Sequence, residues 1–168
     1  LSSLSRSDGS WRVPDSRSSH FHLTYFINVC TPIANTPGCT GGNLGGCQVD
    51  STGSSWNMGY IQSRPVAVGN GTITLRYLGG TVCHKGQATE SHRSTRINFF
   101  CSNKEEDPVF EGETATCEYV FSWRTPSACS VKRIIGNNCE VEDPLYKTHF
   151  SVASLRSSGK NYEVQSNG

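Results

Sequence analysis

Polar and apolar residues alternate along several short stretches of the chain. Thr72-Ile73-Thr74-Leu75-Arg76-Tyr77 switches at every position. Residues 93–101 carry Ile97, Phe99 and Phe100, and residues 116–123 place Tyr119, Phe121 and Trp123 two apart, on one face of a strand. Residues 20–30 are rich in β-branched and aromatic side chains. Turn-forming glycines separate the runs: Gly41-Gly42, Gly45-Gly46, Gly69-Asn70-Gly71 and Gly79-Gly80. No long stretch holds the apolar spacing of an amphipathic helix. The pattern predicts an all-β fold, a flattened β-barrel or sandwich of two sheets.

Composition changes this picture in one respect. With 168 residues the chain suits one domain plus flanking sequence, yet only 35% of it is hydrophobic. A core that modest gains from covalent staples, and eight cysteines supply the candidates: Cys30, Cys39, Cys47, Cys83, Cys101, Cys117, Cys129 and Cys139. Their spacing is wide, with no Cys-x-x-Cys and no Cys/His cluster of zinc type, so the sequence offers no metal site. An even count in a Gly/Ser/Thr-rich chain reads as disulfides formed in an oxidising compartment. Asn70-Gly71-Thr72 is the chain's one N-glycosylation sequon and points the same way. A net charge of +1 argues against nucleic acid as a partner. No apolar run approaches the ~20 residues that cross a bilayer, so no membrane contact is expected of this segment. Leu1 opens in polar sequence without a signal-peptide pattern, which with the cysteine chemistry implies a piece of a longer secreted or membrane protein.

The two ends of the chain resemble each other. Leu1, Leu4, Trp11 and Val13 lie over Val152, Leu155, Tyr162 and Val164 at an ungapped offset of 151 residues. A period that long means tandem domains. Residues 1–136 are expected to form most of one domain, its N-terminal strand truncated, and residues 137–168 to open the next. The same offset sets the counterpart of Cys139 before Leu1 and that of Cys30 beyond Gly168.

Cys83, the run Arg93 to Cys101, Pro108-Val-Phe-Glu-Gly-Glu113, and Cys117-Glu-Tyr119-Val-Phe121-Ser-Trp123-Arg-Thr-Pro-Ser-Ala-Cys129 resemble the mannose 6-phosphate receptor homology (MRH) family. With Gly46-Cys47-Gln48 the resemblance covers residues 1 to about 135. The repeat period is similar to the tandem array of the cation-independent receptor ectodomain, and the spacing from Glu113 to Tyr119 resembles its ninth unit. The resemblance implies a lectin-type domain whose ligand-binding set is Gln48, Arg93, Glu113 and Tyr119, with Glu111 and Glu118 the residues that could be mistaken for Glu113. It implies disulfides Cys39–Cys47, Cys83–Cys117 and Cys101–Cys129, leaving Cys30 and Cys139 without their intended partners. The loop before Arg93 resembles a phosphate-facing loop, with Lys85, Gly86, Gln87 and His92 as candidates and Glu90 an unfavourable neighbour. Val82 stands where the metal-assisted variants carry an acidic residue, so neither a divalent cation nor any other cofactor is expected. The implied partners are phosphomannosyl N-glycans of lysosomal hydrolases and neighbouring repeats of the same chain. The implied place is the lumenal or extracellular part of a membrane receptor cycling between Golgi, endosomes and cell surface.

The four side chains suit a sugar on chemical grounds as well. Mannose differs from glucose by one axial hydroxyl, and each hydroxyl both donates and accepts. Gln48 offers a donor and an acceptor, Arg93 a planar donor fork, Glu113 acceptors only, and Tyr119 either role. An epimer would leave buried partners unpaired. Acidification removes charge from a phosphate ligand, and protonating Glu113 would turn an acceptor into a donor, so binding is expected to weaken from about pH 6.5 towards 5. Two rival functions compete. Glu111 and Glu113 have the residue types of a glycosidase pair; at i, i+2 on a strand they would share a face, but they sit close together in one loop-like stretch. No Gly-x-Ser-x-Gly elbow is present, and an enzyme is not expected. A repeat that binds no sugar and serves as a protein-binding module or spacer is the second rival.

Overall fold

The computed structural model describes residues 1–17, 23–69, 71–130, 136–143, 147–159 and 162. The sequon residue Asn70 lies outside these. The chain divides into two compact units, Leu1–Ser130 and Val131–Gly168.

In the first unit a helical turn at Ser2–Leu4 precedes β1 (Trp11–Pro14), β2 (Thr24–Ile27), β3 (Gly46–Val49) and β4 (Ser55–Asn57), which form an antiparallel four-stranded sheet in sequence order. There follow β5 (Val66–Gly69), β6 (Thr72–Tyr77), the short pair β7 (Val82–Cys83) and β8 (Ser91–His92), then β9 (Ser94–Cys101), β10 (Val109–Glu113) and β11 (Glu118–Thr125). The second sheet has the order β10-β11-β9-β6-β5. Its β9 and β11 run parallel, and the remaining pairs are antiparallel. A parallel pair needs a crossover between its strands, and here β10 makes it, returning on the far side of β11.

The alternation read from sequence explains the packing. Thr95, Ile97 and Phe99 of β9 and Tyr119, Phe121, Trp123 and Thr125 of β11 are buried, their neighbours less so. They face Val13, Tyr25 and Ile27 of the other sheet, buried in turn. Tyr25 is the main cross-sheet contact, with ring centroids 4.0 Å from Phe110, 5.7 Å from Phe121 and 5.8 Å from Tyr119. Trp11 meets Trp123 edge-on at 4.7 Å. Two sheets face each other across one aromatic core, the sandwich that the pattern predicted. Two polar groups of the core strand β11 find partners: Trp123 Nε1 donates to the Glu106 carbonyl at 2.7 Å, and the Thr125 hydroxyl to Glu105 Oε2 at 2.8 Å.

Two elements that carry candidate residues depart from the sequence reading. The stretch holding Glu111 and Glu113, read as loop-like, forms the edge strand β10. β3 escaped notice because Gly46, Cys47 and Gln48 are all buried, so no alternation marks it. Gly46 is required there, since a Cβ on it would stand 2.4 Å from Thr95 Oγ1 of the opposite sheet.

Disulfides join Cys39 to Cys47, Cys83 to Cys117 and Cys101 to Cys129, the three pairs the resemblance implies. Cys83–Cys117 ties β7 to the start of β11, and Cys101–Cys129 ties the end of β9 to the chain just after β11. Cys30 and Cys139 are free and exposed.

In the second unit β12 (Glu140–Glu142) pairs with β13 (His149–Ser151), and a helical turn follows at Ala153–Leu155. That turn repeats Ser2–Leu4 at the offset of the sequence repeat, down to the bonds from Leu4 to Leu1 and from Leu155 to Val152, both 3.0 Å. Leu4 is 3% exposed, whereas its counterpart Leu155 is 61% exposed.

Closing a loop of 34 residues, the Cys83–Cys117 bond is expected to contribute about 3–4 kcal/mol. A Cys83→Ala/Cys117→Ala double variant should lose that much stability in urea unfolding; an unchanged midpoint would contradict the assignment.

Candidate functional site

One end of the sandwich gathers polar side chains from both sheets. Gln48 sits centrally on β3, 5% exposed, paired between Tyr25 on β2 and Trp56 on β4. Tyr119 stands near the start of β11, 1% exposed. Arg93 occupies the one residue between β8 and β9. Its Nε donates to the Tyr119 hydroxyl at 3.1 Å, and that hydroxyl donates in turn to Gln48 Oε1 at 3.4 Å. Three of the four candidates from sequence thus form one hydrogen-bonded chain across the gap between the sheets.

Arg93 is fixed by its surroundings. Its Nη1 donates to the Val82 carbonyl at 3.0 Å and to Thr81 Oγ1 at 3.3 Å, and its guanidinium carbon lies 5.7 Å from the Trp56 ring centroid. The Arg93 carbonyl accepts from the Gly80 N–H at 2.9 Å. That approach depends on glycine: a Cβ at Gly80 would lie 2.6 Å from the same carbonyl oxygen and 2.4 Å from that of Asn57. Arg93 Nη2 has no hydrogen-bond partner among the described residues, which leaves one donor of the fork for a ligand.

Glu113 reaches the site through an irregularity in β10. Phe110 pairs with Phe121, but Gly112 pairs with Val120 and Glu113 with Tyr119, so Glu111 is the extra residue of a β-bulge. Residues directly opposite on paired strands point to the same face. Without the bulge Glu113 would lie on the face opposite to Phe110; with it, Glu113, which stays exposed, shares the face of Phe110 and Tyr119. Glu111 is turned the other way, where its carboxylate accepts from Ser122 Oγ. The expectation that Glu111 and Glu113 share a face therefore fails, and with it the geometry of a carboxylate pair across a cleft. Glu118, the other residue that could be mistaken for Glu113, bridges Arg96 at 3.2 Å and Arg76 at 3.5 Å away from this cluster.

The phenols report the local field. Tyr119 is pushed up to about 12, by burial first and the Glu113 charge next, with Arg93 opposing both. Burial, then Asp15 and Tyr119, push the Tyr25 phenol above its ordinary range, against a hydrogen bond with Gln48. Tyr25, Trp56 and Asp15 were not singled out from sequence. Tyr25 looked like any aromatic of a strand, and its place opposite Gln48 follows only from the register of β2 and β3.

The loop 84–90 is exposed throughout and hangs from the β7–β8 pair. Gly86, at φ +77°, directs its N–H to Glu90 Oε2 at 2.6 Å, and His92 Nδ1 donates to the Gly80 carbonyl at 2.9 Å. Gly86 therefore faces an anion, and that anion is the protein's own carboxylate. Lys85 and Gln87 are exposed on the same loop. Cys83, His84 and Cys117 have ligand atoms within 4.8 Å of one another, yet both sulfurs are spent in a disulfide, and one imidazole does not hold a metal.

This arrangement can be set beside known proteins. A model of the family described as cation-independent mannose-6-phosphate receptor repeat matches residues 1–84 and 90–168. The chain belongs to that family. The repeat is 38% identical to the cation-independent mannose-6-phosphate receptor of Homo sapiens over 168 residues, 100% of this chain and 6% of that protein. It thus spans a small part of that relative's length. Among solved structures, domain 11 of chicken IGF2R matches with a TM-score of 0.61 and 23% identity over 79% of this chain and 84% of that one. Domain 11 of the corresponding echidna receptor matches with 0.59 and 22% over 77% and 85%. These two establish the shared fold. The repeat's relatives are receptor repeats and not enzymes.

Three of the six tyrosines, Tyr25, Tyr77 and Tyr119, have phenols raised mainly by burial. A raised phenol favours the folded state below the ordinary value of 10.0, and that stability is lost as pH rises through the folded value, about 12 for Tyr119. Phenolate absorbance is expected to show these three ionising only as the chain unfolds at high pH. Simple ionisation of all six with near-UV circular dichroism unchanged would refute the burial.

Proposed function

We propose that this repeat is a lectin module for terminal mannose 6-phosphate on the N-glycans of lysosomal hydrolases. The observation that carries the reading is the convergence of Gln48, Arg93, Glu113 and Tyr119 from two sheets onto one end of the sandwich. Glu113 and the free arm of Arg93 take the ring hydroxyls by charge-assisted bonds. Gln48 and Tyr119, already bonded to each other, read donor and acceptor directions on the same ring. Trp56, half-buried beside Arg93, supplies an apolar wall.

The phosphate would meet the loop 84–90, with Lys85, Gly86, Gln87 and His92 as its contacts. At the Gly86 amide it replaces the Glu90 carboxylate, one anion for another. In this reading residues 1–136 are the sugar-binding repeat and residues 137–168 open the following one, which gives Leu155 the partners that Leu4 has here. The setting is the lumenal side of a receptor that sorts these hydrolases and releases them in acidic compartments.

Arg93→Ala or Gln48→Ala should each abolish retention on a phosphomannan column while the circular dichroism spectrum stays native, because each leaves buried partners unpaired at ~1–3 kcal/mol or more. Retention of both variants would return these residues to structural roles, and failure of the unsubstituted chain to bind would leave the repeat a spacer or protein-binding module. Glu90→Gln should raise affinity for mannose 6-phosphate several-fold and leave methyl mannoside unchanged. With the second pKa of a phosphate monoester near 6, affinity for the phosphorylated ligand is expected to fall from about pH 6.5 to 5 as the phosphate gains its proton. Calorimetry across that range with both ligands checks the sign, and EDTA should alter neither titration.

A further inference from the structure

We infer that Arg17 is a positioning residue that holds Glu113 in the sugar site by clasping the β10 bulge. The inference rests on the sugar-binding reading, in which Glu113 is an acceptor for the ring hydroxyls. A bulge leaves its extra residue outside the ladder, and a backbone group lost to the ladder needs another partner. The extra residue is Glu111, and its carbonyl accepts from Arg17 Nη1 at 2.5 Å. The guanidinium carbon lies 4.5 Å from the centroid of the Phe110 ring, the last inward residue before the bulge. Gly112, the residue after it, leaves room for the clasp: a Cβ there would stand 2.9 Å from Arg17 Nη1.

The clasp is anchored on the other sheet. Arg17 follows β1, and its backbone N–H and Nε donate to Asp15 Oδ1 at 3.0 and 3.4 Å. The Asp15 side chain is 7% exposed, and its Oδ2 accepts from the Tyr25 hydroxyl at 3.5 Å. One end of the strap is thus buried beside the site and the other grips the opposite sheet at the turn of parity. Loss of the bulge would pair Glu111 with Val120 and Gly112 with Tyr119, and Glu113 would turn to the opposite face. Arg17 itself is 49% exposed, so most of its side chain lies outside the core.

The test is a double-mutant cycle on the whole chain, with methyl mannoside binding followed by NMR titration and hydrogen exchange measured without ligand. Arg17→Gln should keep native circular dichroism, weaken the mannoside about tenfold, and speed exchange at the amides of residues 111–113. In a Glu113→Gln background the same change should cost no further affinity, an outcome that a general loosening of the fold would not give. Arg17→Lys, which can reach the carbonyl but lacks the fork to grip Asp15 as well, should fall between, and it carries the comparison if Arg17→Gln is poorly folded. Additive losses in the cycle, or unchanged affinity and exchange, overturn the clasp even if the mannoside binds. Faster exchange at residues 111–113 in a chain that binds no mannoside would keep the clasp and reject the sugar-binding reading.

Discussion

Tyr119 is 1% exposed, and its hydroxyl stands in the gap between the two sheets. A phenol buried without a partner costs on the order of 1–3 kcal/mol, so the fold must bring a donor and an acceptor to it. The donor is Arg93, at the start of β9 in its own sheet, and the acceptor is Gln48, in the opposite sheet. Much else follows from that requirement. Arg93 must enter beside β11, which the parallel pairing of β9 with β11 allows and the Cys83–Cys117 bond enforces. Gln48 must be central in its sheet, and β2 and β4 flank it there. Polar groups that satisfy one buried hydroxyl are thereby ordered before any ligand arrives, and preorganised donors and acceptors are what recognition of a polyol needs.

Legibility in the sequence followed exposure of one face. Strands with one face in the core and one outside, β6, β9 and β11, alternate visibly and were found within a residue or two. β3 is buried on both sides at Gly46, Cys47 and Gln48, and β1 and β4 are three or four residues long, too short to show a period. β10 was hidden by its bulge, which breaks the alternation just before the candidate carboxylate Glu113. Without the bulge, the rule that i and i+2 share a face puts Glu111 beside Glu113; the extra residue separates them. The site was legible as a set through its cysteine-framed motifs. Its depth was not, because Tyr25 and Asp15 reach Gln48 and Arg17 only through strand register and the opposing sheets, and no local pattern encodes either.

Two parts of the proposed site differ in stiffness. The side chains assigned to the sugar ring stand on or beside strands, their hydrogen-bond directions set by ladders and by one another. The groups assigned to the phosphate belong to an exposed loop held by a two-residue strand pair and a disulfide. A hydroxyl pattern demands fixed directions, since one axial–equatorial swap must be refused. A phosphate is nearly symmetric in its oxygens and asks mainly for positive potential and N–H groups, which a loop supplies without fixed geometry.

The Glu90–Gly86 contact fits this division. An exposed loop carrying several donors, among them Lys85 and the Gly86 amide, has a field that any anion in solution would sample. With Glu90 on the amide, an incoming phosphate gains only the difference between its own interaction and that of a carboxylate already present. In the proposed site the loop would then add little affinity for phosphate alone, and binding would draw on the sugar contacts as well. Selectivity for the conjugate over either half arises when one half is read by a rigid site and the other by a site whose ground state is already satisfied. On this argument Glu90, which looked unfavourable beside an anionic ligand, would keep inorganic phosphate from competing at the proposed site.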